Sequence, residues 1–367
     1  MKNCELSGYY RYWLYRLPGA GSKTARKLLE QFGNAKNIYE EFHQNKSTAM
    51  RSFAEAKRQE ILAWMQTDAV RQEYEKLKES GISFVTIEEQ KYPARLREIP
   101  DAPYGIFYKG ELPPEEKPSI AIIGARDCSE YGRVVAKKFA YCLAKSGVSI
   151  ISGMARGIDS ISQEEAIQAG GKTYAILGSG VDVCYPKTSS ALYQKIWNGE
   201  GGIISLLPPG TLPEKYYFPE RNRIVAGLAD VILVIEARQR SGTWITVDMA
   251  LQQGKDVYAV PGRITDRLSD GCNELIRQGA GIALTPQDLV KEISLGCQTA
   301  AISQMQKERT GVMKFLDYEP LHVDVIFEKA KSENKFVTLA EVMQQLMELC
   351  LQGRVCQKGG CYFSLAE

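Results

Sequence analysis

Residues 120–133 read IAIIGARDCSEYGR. An apolar run ends at Gly124, and Arg126 follows two residues on. A dinucleotide site of the G-x-G-x-x-G kind would need two further glycines. Here they are missing, and Arg126 stands where the chain would pass closest to a pyrophosphate. Glycine lets backbone N–H groups approach an anion. Arginine adds a charge that does not titrate and a planar fork of donors. Together they make a phosphate grip that is blind to base sequence. The same residue types recur as Ser152, Gly153 and Arg156 in SGMARGID, Lys187 in GSGVDVCYPK, Arg221, Asn222 and Arg223 in FPERNR, and Ser241, Gly242 and Thr243 in SGTWITVD. Tyr131, Tyr185, Tyr216, Tyr217, Phe218 and Trp244 add flat apolar faces nearby. Phosphate donors beside stacking surfaces suit unpaired nucleic acid, and a mononucleotide would ask for the same chemistry on a smaller footprint. The competing roles are an ion pair from Arg126 to Asp127 or Glu130, and glycines that only make tight turns.

These residues need a frame, and the strands supply it. SIAIIG, VSIISG, KTYAIL, GIISLL, VILVIEA and VYAVPG are short unbroken apolar runs, with GIALT as an edge candidate. Helical segments alternate with them. Unbroken rather than alternating strands suit burial on both faces, the mark of a parallel, doubly wound α/β sheet. In such a sheet ligands bind beyond the carboxyl ends of the strands, and every segment named above follows a strand. The six post-strand loops hold ten basic and eight acidic residues in 61, no enrichment over 46 basic residues in 367. Charge counting alone therefore decides nothing.

The bulk numbers exclude much. Forty-six basic against 44 acidic residues leave a net charge of +2, so any nucleic-acid site is a local pocket rather than a basic surface. Nine cysteines without a C-x-x-C pair argue against zinc ribbons and point to reduced thiols in the cytoplasm. Both histidines, His43 and His322, lie outside the α/β region, so no Ser-His-Asp triad or histidine metal site is expected there. No apolar run reaches the ~20 residues of a membrane span.

Residues 1–80 are read as a helical domain. YWLYRLPGAGSKTARKLLEQFG is a helix, a glycine turn and a helix, a helix-hairpin-helix pattern that either grips phosphate at a helix N-terminus or only packs. ISFVTI and YGIFYKG extend the sheet, giving an α/β domain over 81–295. Residues 296–312 are a polar linker, and 313–367 carry helix, turn, helix and hairpin in winged-helix order, with Thr338 and Glu341 as a capping box. The second of those helices has no basic residue, which favours a partner-binding or regulatory role. Cys356 and Cys361 would face each other in one hairpin register, but a reducing compartment speaks against a bond.

IIGARDCSEYG, SGMARGIDSISQEEAIQAGGKTYAILGSGVDVCYP, FPERNRIVAGLADVILVIEA, SGTWITVDMALQQGKDVYAVPG and GCNELIRQGA together resemble the DNA-processing protein A family (DprA, also called Smf), in order from about residue 82 to 290. The three-part layout matches too, with an N-terminal SAM-like or helix-hairpin-helix-like domain. The resemblance implies an extended Rossmann-like fold and a protein that is not an enzyme and uses no cofactor or metal. It implies binding of single-stranded DNA, loading of the RecA recombinase in natural transformation, and a homodimer formed through the Rossmann-like domain. It implies DNA contacts for Arg126, for Lys187 after the Tyr-Pro pair, and for Asn222 and Arg223. Two departures are Ala125, where the family usually has a hydroxyl residue, and Leu206-Leu207, where it often has Ser-Glu. The alternative is a nucleotide phosphoribohydrolase of the lysine-decarboxylase-like (LOG) type, whose catalytic turn resembles P-G-G-x-G-T-x-x-E. SGTWITVDMA lacks the double glycine and puts Thr246 where the glutamate belongs. A scaffold that has lost DNA binding is a third reading, against which the intact basic positions stand.

Overall fold

The computed structural model describes residues 2–44, 53–296, 311–316, 320–332, 338–352 and 354–365. They form two compact units, 1–293 and 294–367.

In the first unit, α1 (Lys2–Arg16), α2 (Ser22–Phe32), α3 (Ala35–His43), α4 (Glu55–Met65) and α5 (Ala69–Glu79) precede a nine-stranded sheet. Its strands are β1 (Ser83–Thr86), β2 (Gly105–Gly110), β3 (Ser119–Ile123), β4 (Ser149–Ser152), β5 (Thr173–Leu177), β6 (Gly201–Ser205), β7 (Val231–Val234), β8 (Asp256–Ala259) and β9 (Gly281–Ile282). The spatial order is β1-β2-β6-β5-β4-β3-β7-β8-β9. From β6 to β9 every pairing is parallel. The first two strands add an antiparallel edge beside β6, the expected extension. A short helix, α6 (Ala94–Arg97), lies between them. The crossovers carry α7 (Glu130–Lys145), α8 (Ile158–Gln168), α9 (Ser190–Trp197), α10 (Tyr217–Leu228), α11 (Gly242–Gln252) and α12 (Asp270–Arg277), and α13 (Pro286–Gly296) follows β9.

Residues of β3 to β7 are buried throughout, as unbroken apolar runs require. Side chains alternate between the faces. Ile120 and Ile122 pack with Phe139 and Leu143 of α7 and Ile158 and Ile161 of α8. Ala121 and Ile123 pack on the other face with Ile224 and Val225 of α10 and Val247 and Ala250 of α11. Each fully buried isoleucine contributes about 1.5–3 kcal/mol. Helices α1 to α5 share their core with the sheet: Trp13, Leu28, Ile38 and Ile61 cluster with Ala175, Leu177 and Ile203. The glycine turn after α1 rests on this core through Leu17, and the Ser22 hydroxyl accepts the Tyr104 N–H at 3.2 Å.

The chain winds outward from β3 through β4, β5 and β6, then returns to place β7 on β3's other side. That reversal opens a crevice at the carboxyl ends of β4, β3 and β7, the usual ligand position in such sheets.

The second unit contains a short helical turn (Gly311–Phe315), β10 (Leu321–His322), α14 (Val323–Ser332), α15 (Leu339–Leu351), β11 (Val355–Gln357) and β12 (Tyr362–Leu365), with sheet order β10-β12-β11. Thr338 and Glu341 form the capping box. Cys356 is paired with Ser364 across the hairpin, and Cys356 and Cys361 are both free thiols. Of the expected linker, residues 297–310 lie outside the described residues. Among the described residues no helix is long and apolar enough to cross a membrane.

Candidate nucleic-acid interface

A cavity of about 650 Å³ fills the crevice. Ile123 and Gly124 come from β3 and its exit, Gly153 from the exit of β4, and Arg238 from the loop after β7. Lys215 reaches it from the turn before α10, Phe218, Arg221 and Asn222 from α10 itself, and Ser241, Gly242 and Thr243 from the start of α11.

The loop that bears Arg126 is held from below. Gly157 sits at φ +85, and a Cβ there would lie 2.3 Å from the Ala125 carbonyl oxygen. The Ile158 N–H donates to that same oxygen at 3.2 Å. Only glycine allows this crossing. Gly124 borders the cavity, yet its missing side chain serves packing: a Cβ would meet Ile158 at 2.8 Å and the Glu236 carbonyl oxygen at 3.0 Å.

Arg126 is exposed, and neither Asp127 nor Glu130 pairs with it. Asp127 instead pairs with Arg156, which takes Arg156 out of the set of open phosphate ligands. Ser152 is also removed: it is fully buried and donates to the Ile122 carbonyl at 2.7 Å. Arg221 borders the cavity but is engaged inward. Its guanidinium donates to the carbonyl oxygens of Gly153 and, at 2.5 Å, of Ile176. Its Nε donates to Asn222 Oδ1 at 3.1 Å, which leaves the Asn222 amide N–H groups unused. Arg223 does not reach the cavity. Two residues along a helix turn the side chain by about 200°, and it binds the Asp101 carbonyl and Glu220. Lys187 is exposed in a helical turn after β5 (Lys187–Ser189), outside the cavity lining. Tyr131 is likewise outside and donates to the Pro261 carbonyl.

The start of α11 is an open anion seat. Ser241 stands at the N-cap position with extended backbone but makes no cap bond, and its hydroxyl is shut from solvent without a partner. A Cβ on Gly242 would meet nothing within 4 Å. The uncapped N–H groups of a helix start carry partial positive charge. The start of α7, by contrast, is filled. Ser129 donates through both its N–H and its hydroxyl to the buried Glu236 carboxylate.

Burial sets the acid–base character of the floor. Desolvation lowers Arg221 to about 10, still cationic at neutral pH. Desolvation raises the fully buried Asp159 carboxyl, opposed by the Arg221 charge and by the Gly153 and Ala155 N–H groups. Among the described residues no cluster of three metal-ligating side chains exists.

Sequence reasoning missed Lys215 as a cavity cation, and it counted Arg238 among the post-strand bases without placing it in the site. Both are exposed and line the cavity. Lys215, Phe218 and Asn222 are spaced i, i+3, i+7, a one-face pattern that was there to be read. It also missed Asp159 and Glu236, which face inward. Tyr185 and Phe218 form a tilted ring pair 5.7 Å apart at the cavity wall. Thr246 lines the cavity where the phosphoribohydrolase reading needs a glutamate.

A doubly wound sheet with a crevice at its switch point lined by Arg126, Lys215 and Arg238 defines a Rossmann-like fold whose usual pyrophosphate seat is filled by Glu236. Residues 83–294, more than half of the chain, match the family described as DNA recombination-mediator protein A, and the chain belongs to that family. It is 45% identical to the DNA processing protein DprA of Streptococcus pneumoniae over 201 residues, 55% of this chain and 71% of that one. It is 32% identical to protein Smf of Escherichia coli over 300 residues, 79% of each. The crystal structure of the S. pneumoniae protein superposes with a TM-score of 0.68 at 34% identity, covering 78% of this chain and 98% of that one. A Helicobacter pylori DNA processing protein A, whose structure is described for its single-stranded DNA binding mode, superposes with a TM-score of 0.52 at 29% identity, over 57% and 95%.

Proposed function

We propose that this protein binds single-stranded DNA, with one stretch of backbone seated in the cavity and bases resting on Tyr185 and Phe218. The observation that carries this is the unpaired Arg126 at the mouth of a crevice whose other open cations, Lys215 and Arg238, equally have no ion-pair partner among the described residues. Phosphates satisfy such cations and the open α11 start without reading base identity. The single-stranded DNA binding described for the H. pylori relative supports the same reading.

The role is binding rather than catalysis. On family membership we extend it to DNA processing in natural transformation, with delivery of the strand to RecA and a homodimer through the Rossmann-like unit, in the cytoplasm. Residues 1–80 act as the SAM-like or helix-hairpin-helix-like module and residues 313–367 as a winged-helix module. The phosphoribohydrolase alternative is disfavoured by Thr246.

Fluorescence anisotropy with labelled oligo-dT and a duplex of equal length tests the core of this. Oligo-dT should bind more tightly, with log affinity falling linearly against log salt. A salt slope near zero, or preference for the duplex, overturns it.

A further inference from the structure

Of the ten basic residues in the post-strand loops, Arg156, Arg221 and Arg223 are engaged internally. Arg126, Lys187, Lys215, Arg238, Arg240, Arg263 and Arg267 are exposed and have no ion-pair partner among the described residues. Once the engaged cations are set aside, the open ones are unevenly placed. Four of the seven sit on two loops, 237–241 after β7 and 262–269 after β8.

These loops are joined. β7 and β8 are parallel neighbours, the Ala237 N–H donates to the Leu268 carbonyl at 2.9 Å, and the Gly271 N–H donates to the Ala237 carbonyl at 2.8 Å. The first contributes Arg238 and Ser241 to the cavity and the second Leu268, so the patch continues the cavity's rim. Ile264, 90% exposed, lies between Arg263 and Arg267 in the second loop. The local acids are partly spent: Asp266 caps the Leu268 N–H at 3.0 Å, and Asp270 lies in the first turn of α12.

We infer that these two loops form a second DNA-binding segment, a track over which a single strand continues after leaving the cavity. This rests on the single-strand reading of the cavity itself. Arg240, Arg263 and Arg267 hold successive phosphates there, and Ile264 offers a base an apolar contact. An unpaired strand fits because a lone exposed apolar residue, Ile264, stands among exposed cations, and continuity with the cavity rim supplies the path. The cavity then fixes the strand, and the track lengthens the footprint.

The test is affinity against oligonucleotide length, using the full chain, oligo-dT of about 5 and about 20 nucleotides (near the lower limit of the usual ~4–16 nucleotide single-strand site sizes and beyond their upper limit) and the triple variant Arg240→Gln, Arg263→Gln, Arg267→Gln. All three side chains are exposed, so the melting temperature should not move, and a matching Arg→Lys triple controls for shape. For the Gln variant, affinity for the long oligonucleotide should drop at least ~10-fold, with a salt slope shallower by about 2, at ~0.7 for each phosphate no longer held. The short one should bind as before, and the Lys variant should keep the wild-type salt slope. Equal losses at both lengths would assign these arginines to the cavity and overturn the track. So would no loss at either length, as when the patch serves an acidic protein. Wild-type protein that binds neither oligonucleotide refutes the single-strand reading itself, a distinguishable result.

Discussion

Replacing Arg126 by alanine tests the site most directly, because Arg126 stands at the cavity mouth without an internal partner. Among the described residues no ion pair is lost with it, so the effect belongs to the ligand. An exposed charge-assisted contact gives about 1–2 kcal/mol, or about 5- to 30-fold in affinity. The salt dependence is a sharper measure. A short oligo-dT confined to the cavity meets three open cations, Arg126, Lys215 and Arg238. At ~0.7 per phosphate held the slope is about −2, and raising salt from about 50 to about 200 mM weakens binding about 20-fold. Without Arg126 the slope falls to about −1.4 and the same change costs about 7-fold. Titrations by anisotropy at several salt concentrations read both quantities. Arg126→Lys should keep the slope while losing part of the affinity, since it keeps the charge but not the planar fork. Affinity and slope both unchanged in Arg126→Ala, or a loss confined to one base sequence, would refute the reasoning.

Arg156→Ala should weaken binding by freeing the Asp127 carboxylate beside Arg126, and adding Asp127→Asn should restore it; anisotropy that shows no recovery in the double variant contradicts this. Arg221→Met strands the Gly153 and Ile176 carbonyls and leaves Asp159 buried without its nearby cation, so urea unfolding should show a loss of about 3–5 kcal/mol, the scale for an uncompensated buried charge; a loss under ~1 kcal/mol would deny the tether. Burial raises the Asp159 carboxyl above its unfolded value, so the folded state keeps that proton to higher pH than the unfolded chain. Stability from this group is then fully present below the unfolded value and falls as pH rises through the raised one. Asp159→Asn should therefore gain on wild type in urea midpoints as pH rises above about 4, and a constant difference across pH would reject the assignment. Phe218→Ala should lose about 1–3 kcal/mol of oligo-dT affinity if a base stacks there, with the salt slope unchanged.

The sheet was legible because buried parallel strands have a simple signature, unbroken apolar runs such as IAII and VILVI between polar turns. The sheet edge was legible for the same reason, since locating the strand ends locates the loops. Which cations in those loops remain open was not. Arg221 and Arg223 are two residues apart in FPERNR, yet helix α10 turns one under the sheet ends and the other toward Asp101. Arg126 and Arg156 sit in similar loops, and the position of Asp127 selects Arg156 as its partner. Ser152 and Ser241 look alike as hydroxyl donors, but one faces a strand carbonyl and the other finds nothing. Local pattern carries the distribution of residue types, whereas partner choice depends on distances between loops far apart in the chain.

The filled start of α7 explains why this fold departs from dinucleotide binding. In a dinucleotide fold the first crossover helix offers its N-terminus to the pyrophosphate. Here Glu236, at the exit of β7, places a carboxylate there, and Ser129 binds it through two donors. Gly132 is required beside it, because a Cβ at that position would lie 2.2 Å from a Glu236 carboxylate oxygen. With the Ser129 N–H and hydroxyl already bonded to that carboxyl group, those donors are not open to a second anion. The places left open to an anion are the guanidinium of Arg126 and the uncapped start of α11. The missing glycines of the G-x-G-x-x-G pattern and the added arginine are thus two sides of one change. The helix start that would have held pyrophosphate is occupied from within, so the crevice takes its positive charge from side chains that reach outward along the sheet edge, where a chain of phosphates can follow them.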